Sequence, residues 1–303
     1  MSIRIKGLLL RVALTLAALL AFFVGLLAVT GHAASIGISG ALSFLCGDLI
    51  AEHAGWHAAF VLAGASAAIA WLTVALVVPA RQPPARPAGQ QPALFDFRPV
   101  LRNRSAMAYA LAYCVHTLEM NALRGWGVVF LAFVAARTGA AEGAFSPTLV
   151  VTALALIGTT ASVAGNEAAI RLGRRRLVCT AMVLSIAFAA ILGFVGSLSY
   201  AVAVALLLLY GAVVWLDSSS LTAGAAGTAE PSRRGATLAV HSMLGYAGGF
   251  VGPLAVGWTL DLAGGVSPVA WGLAFLVVAV LMALALATFV LIRPRELAGD
   301  RGS

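Results

Sequence analysis

Nine apolar runs, near 8–30, 34–52, 57–79, 106–134, 146–166, 177–196, 199–226, 237–262 and 268–292, fix what this chain can become. As helices rising 1.5 Å per residue, runs of this length cross about 30 Å of hydrocarbon. Hydrocarbon has no water to satisfy peptide groups, so spanning segments close their own backbone hydrogen bonds. With 61% hydrophobic and 10% charged residues and a mean hydropathy of +1.00, the chain lies far from the composition of a soluble domain, which carries about 25% charged residues. The expectation is an all-α polytopic membrane protein with about nine transmembrane helices.

The formal charge is +8, and Lys6 is the one basic residue that is not arginine. The arginines fall between apolar runs and have no aromatic interleaving, which argues for loops facing anionic lipid and against nucleic acid. Arg81, Arg86, Arg98, Arg102 and Arg104 lie in one connection, Arg171, Arg174, Arg175 and Arg176 in another, and Arg233 and Arg234 in a third. Arg293, Arg295 and Arg301 follow the last run, while the alternate connections hold only Arg137. The positive-inside bias therefore predicts that these connections and the C-terminus face the cytoplasm. Residues 81–104, RQPPARPAGQQPALFDFRPVLRNR, lack apolar periodicity and read as a linker. The front end fits less well. Nine spans cannot place both ends inside, although Arg4, Lys6 and Arg11 prefer that side. The start also mimics a signal peptide, but its apolar run is long for one.

Residues 109–133, YALAYCVHTLEMNALRGWGVVFLAF, hold His116, Glu119, Asn121 and Arg124 inside an otherwise apolar run. Ionisable groups at membrane depth are costly and mark functional sites by default. His116 and Glu119 share a helix face at i,i+3, whereas Glu119 and Arg124 point about 140° apart and are poorly placed to pair. One reading has Arg124 attract an anionic substrate while Glu119 or His116 takes a coupling proton. The other has the group as a structural cluster holding helices together. Asp217, beside Trp215 and three serines, is open to the same two readings. Asp48, Asn166, Glu167 and His241 lie nearer run ends, where gating or loop contacts are expected. Gly245, Gly248, Gly249 and Gly252 form overlapping GxxxG spacings ahead of Pro253, suited to close helix packing or to a moving element. Cys46, Cys114 and Cys179 are scattered within apolar runs and predict no disulfide or metal site. No HExxH, GxSxG or Walker pattern is present, so neither an enzyme nor a cofactor is expected.

Several stretches resemble the major facilitator superfamily of secondary transporters. Residues 165–176, GNEAAIRLGRRR, are similar to its cytoplasmic gate loop between the eighth and ninth helices, through Gly165, Arg171, Gly173, Arg174 and Arg175. Ile170 stands where that pattern has an acidic residue, and Glu167 is the candidate substitute. Residues 230–263 resemble the approach to the eleventh helix and that helix itself. Residues 44–60 resemble the junction of the fifth and sixth, with His57 in place of an arginine. The resemblance implies a partial N-terminal half of about three helices at 1–80, with about three further helices missing in front. It also implies the cytoplasmic linker at 81–104, a complete six-helix half at 105–295 and a cytoplasmic tail at 296–303. The function it implies is transport of a small molecule by alternating access in the inner membrane, with protons as the coupling partner and lipid as the solvent. Chain length alone would also suit a ten-helix drug/metabolite carrier, but the GRRR segment and the long linker argue against it. The alternative function is a non-transporting membrane protein, either a degenerate fragment or a partner subunit.

Overall fold

A computed structural model describes residues 32–77, 79, 96–140 and 145–300, and every regular element among them is helical. They are α1 (His32–Ala54), α2 (Trp56–Val77), α3 (Arg98–Arg102), α4 (Arg104–Thr138), α5 (Pro147–Leu172), α6 (Arg174–Val195), α7 (Tyr200–Trp215), α8 (Ser218–Gly227), α9 (Arg234–Leu262) and α10 (Pro268–Ile292). Seven stretches among the described residues are long and apolar enough to cross a membrane: α2, α4, α5, α6 with its 3-10 extension, α7 joined to α8, α9 and α10. The chain is therefore a polytopic helical membrane protein. The expected run at 34–52 is α1. The run at 8–30 and the linker up to residue 95 lie outside the described residues, as does Arg301.

Helix starts follow local chemistry. Asn103 accepts from the Ala106 N–H to cap α4, and Ser146, Ser199 and Ser267 cap α5, α7 and α10 through their hydroxyls. Pro147 and Pro268 occupy the first helical positions, where a missing N–H costs nothing. One expected boundary shifts. The segment read as a gate loop is mostly helix, because α5 runs on through Asn166–Leu172, supported by the Glu167–Arg171 pair one turn apart at 2.8 Å. Only Gly173, at φ 95°, separates it from α6, and that conformation suits glycine. The linker, for its part, ends in the short helix α3, which begins at Arg98 and Pro99.

The helices α4–α10 form one bundle. The most extensive pairing is α4 on α9, followed by α6 on α10, and α1 packs on α5. The α4–α9 seam is built on glycine. Gly248 and Gly252 face the backbone carbonyls of Cys114 and Leu118, and the Thr117 hydroxyl donates to the Gly245 carbonyl at 2.7 Å. By contrast α2 has no buried residue.

Two apolar layers fill the bundle. One contains Leu118, Phe130, Leu154, Leu207, Trp271 and Phe275, and the other contains Tyr109, Val178, Met182, Leu221, Met282 and Phe289. The second lies toward the end where the arginine-bearing connections gather. There the Asn103 amide donates to the Thr228 carbonyl, Arg233 to the Asp96 carbonyl, and the Arg295 N–H to the Ser105 hydroxyl. The C-terminal segment, expected as a cytoplasmic tail, is tied across that end. Arg174 makes a bidentate pair with Asp300 at 2.9 and 3.1 Å, and the Glu296 carboxylate accepts the Arg175 N–H at the start of α6. A carboxylate at a helix N-terminus faces the positive end of the helix dipole, which offsets the absence of a side-chain cap there.

Candidate functional site

Between the two apolar layers lies a polar layer. His116 and Glu119 project from α4 and are 1% exposed. Asp217, at 3%, sits where the run 199–226 breaks into α7 and α8. The Asp217 carboxylate does not cap α8 but reaches across to His116, whose Nδ1 lies 2.9 Å from Asp217 Oδ1. That contact has ion-pair distance without the alignment of an N–H···O bond, and His116 Nε2 has no hydrogen-bond partner either. Tyr210 on α7 donates its hydroxyl to Glu119 Oε1 at 2.6 Å, and the buried Ser185 hydroxyl of α6 also bonds the Glu119 carboxylate. Ser220 is fully buried, and its hydroxyl is also unpaired. Next to it, Ser162 of α5 and Ser219 of α8 share a hydrogen bond at 2.5 Å.

The break in the run is packed in place. Gly158 faces the Trp215 ring and Gly165 the Leu216 carbonyl, so α5 seats the end of α7 closely. Gly224 faces Tyr109 and sets α8 against α4. On the α9 side, His241 is 3% exposed and bonds Thr222 through Nε2 at 3.2 Å. It also stacks on Tyr113, with ring centroids 4.0 Å apart.

The structure thus brings together three of the five expected binding residues, His116, Glu119 and Asp217. Asn121 and Arg124 lie further along α4. Asn121 is half-buried and donates to the Thr117 carbonyl at 2.9 Å. Arg124 is half-buried and makes no ion pair or hydrogen bond among the described residues. The gate residues divide. Arg171 is exposed and paired with Glu167, Arg174 is buried and paired with Asp300, and Gly165 belongs to the α5–α7 contact. Tyr210 and Tyr113 escaped the sequence reading. Tyr210 stands seven residues before Asp217, two helical turns away on the same face, and that spacing was the available signal. His241 lies about two turns into α9, near the run end as expected, and joins the polar layer through Thr222 and Tyr113.

Magnitudes separate structure from chemistry here. An ionisable residue at the centre of a spanning helix costs about 2.5–3.5 kcal/mol on insertion scales. A hydrogen bond between membrane helices returns about 0.6 kcal/mol on average and about 1.7 at most. A layer with two carboxylates, two imidazoles and several unpaired atoms therefore costs more stability than its contacts return. The layer sits where the run 199–226 divides into α7 and α8.

No protein-family model matches the chain, and no curated protein matches it.

Proposed function

We propose that this chain is a secondary active transporter of the major-facilitator type, moving a small molecule by alternating access with proton coupling. The observation that carries the reading is the wholly buried His116–Asp217 pair, which joins an unbroken helix to a broken one in the middle of a membrane-capable bundle. Discontinuous helices with ionisable groups at mid-depth are how many transporters build coupling sites. Protonation of Glu119 or Asp217 removes a buried charge and alters the tie between α4 and the α7–α8 break. A proton thereby acquires different affinities in two arrangements of the bundle, which is the thermodynamic requirement for coupling. Arg124, half-buried and unpaired, supplies the charge that attracts an anionic substrate. The packing of α1 on α5 supports a contact between the first and second halves of such a carrier. The arginine-rich end faces the cytoplasm, following the charge bias.

A second reading has the Tyr210–Glu119 bond as part of a static brace in a non-transporting membrane protein. Uptake of a panel of labelled small molecules, anions included, into proteoliposomes with and without an imposed pH gradient separates the two. The transporter reading expects accumulation driven by the gradient and abolished in Glu119→Gln. Accumulation that ignores both the gradient and the substitution would remove the coupling role.

A further inference from the structure

An anion crossing hydrocarbon needs a cation at depth, and the α4–α9 seam sets one beside two hydrogen-bond acceptors. Arg124 is the one arginine among the described residues that stands outside both the connections and the first and last turns of helices. Asn121 precedes it by three residues, so the two share a face of α4. A long side chain on a helix leans toward the N-terminus, which carries the guanidinium toward Asn121. Asn121 is the midpoint of α4 (Arg104–Thr138), and Gly249, packed against it, lies one residue past the midpoint of α9 (Arg234–Leu262). We infer that Asn121, Arg124 and Gly249 form a binding site for a monocarboxylate with a hydroxyl on the carbon next to the carboxylate. This rests on the reading of the chain as a carrier of small anions.

Each part of the ligand follows from a group that lacks its partner. A guanidinium keeps its proton in proteins and presents paired N–H groups that match the two oxygens of a carboxylate. Arg124 spends none of them on an ion pair or hydrogen bond among the described residues. The one carboxylate on α4, Glu119, points about 140° away and is bonded by Tyr210. A single negative charge therefore neutralises the site, whereas a dianion or a zwitterion leaves a net charge in a medium that penalises it. The hydroxyl is read from the two acceptors. The Asn121 amide donates an N–H to the Thr117 carbonyl at 2.9 Å, which orients it and leaves Oδ1 for a donor. Pro253 has no N–H, so the Gly249 carbonyl one turn before it lacks its helical donor. Gly249 also lets α9 approach, since a Cβ there would lie 2.9 Å from Asn121 Nδ2. The Trp126 indole N–H donates to the Pro253 carbonyl at 2.9 Å and pins the proline turn to α4. Residues three apart on a helix have Cβ atoms about 5–6 Å apart, so the ligand's donor sits close to its carboxylate.

The test is equilibrium binding to the full chain in lipid nanodiscs, measured by titration calorimetry with probes matched in carbon number. Lactate and 2-hydroxyhexanoate carry the inferred head. Propionate and hexanoate lack the hydroxyl, alanine and norleucine replace it with an ammonium, and tartronate and 2-hydroxyadipate add a second carboxylate. The site predicts that a hydroxy monocarboxylate binds about tenfold or more tightly than each of its three counterparts. Asn121→Ala should lower the preference over the unhydroxylated acid to about threefold or less while both acids still bind. Arg124→Gln should abolish binding of every probe. Equal binding of the hydroxylated and unhydroxylated acids, a full preference in Asn121→Ala, or tighter binding of the amino acid or the diacid overturns the assignment. So does a lack of binding by every probe. Uptake into proteoliposomes keeps the two readings apart. Gradient-driven accumulation of another panel compound, with no probe bound, leaves the carrier standing without this site. Binding with the stated preference but no accumulation of any compound removes the carrier reading and leaves the site.

Discussion

Arg174–Asp300 and His116–Asp217 are both shut away from solvent, yet they are built on opposite plans. Arg174 is saturated: Nε and Nη2 bind the Asp300 carboxylate, and Nη1 reaches Asn166 and the Ser220 carbonyl. His116 meets Asp217 at one short contact, and its other nitrogen has no hydrogen-bond partner. The first pair joins a permanent cation to a carboxylate and fastens the C-terminal segment across the bundle end. The second joins a carboxylate to an imidazole, which is a cation only when protonated. The difference teaches where to look for chemistry in a membrane bundle. Saturated buried charge fixes architecture, and unsaturated buried charge leaves room for a change of state.

The largest expected effect falls on the saturated pair. Arg174→Ala strands Asp300 in a buried site and should lower stability by about 3–5 kcal/mol, read as a fall in thermal unfolding in detergent. A small change would show that the C-terminal segment is not fastened as described. Replacing both members of the other pair by apolar residues, His116→Leu with Asp217→Leu, should leave stability unchanged or raise it by about 1–4 kcal/mol, because a buried, poorly bonded pair gives way to apolar packing. A large loss there would erase the contrast between the two pairs. Gly248→Val tests the seam beneath both. The added carbons meet the Cys114 carbonyl, so a loss of about 1–3 kcal/mol is expected in the same melting assay. The smallest effect belongs to Glu167→Gln, which removes an exposed pair one turn apart and should cost about 0.3–0.5 kcal/mol.

The spans were legible because lipid demands long apolar runs, and seven of the nine expected stretches are the membrane-capable helices. The break at Leu216–Asp217 was not. Hydropathy runs straight through 199–226, and neither proline nor glycine marks the position. The break depends on Asp217 turning to His116 and on α5 seating Trp215, which are tertiary contacts. His116, Glu119 and Asp217 were legible as charges in an apolar context. Their meeting was not, since Glu119 and Asp217 stand about a hundred residues apart. The role of residues 296–300 was hidden for a related reason. RELAGD reads as a solvated tail until the Arg174 guanidinium and the start of α6 are placed beside it.

The most direct test measures unfolding and gradient-driven uptake on the same preparation of the His116→Leu, Asp217→Leu double variant, using a panel compound that the unaltered protein accumulates. The account predicts unfolding at or above the original temperature together with complete loss of uptake driven by the pH gradient. Uptake that survives would contradict a coupling role for the pair. Uptake and stability lost together would make the pair a brace.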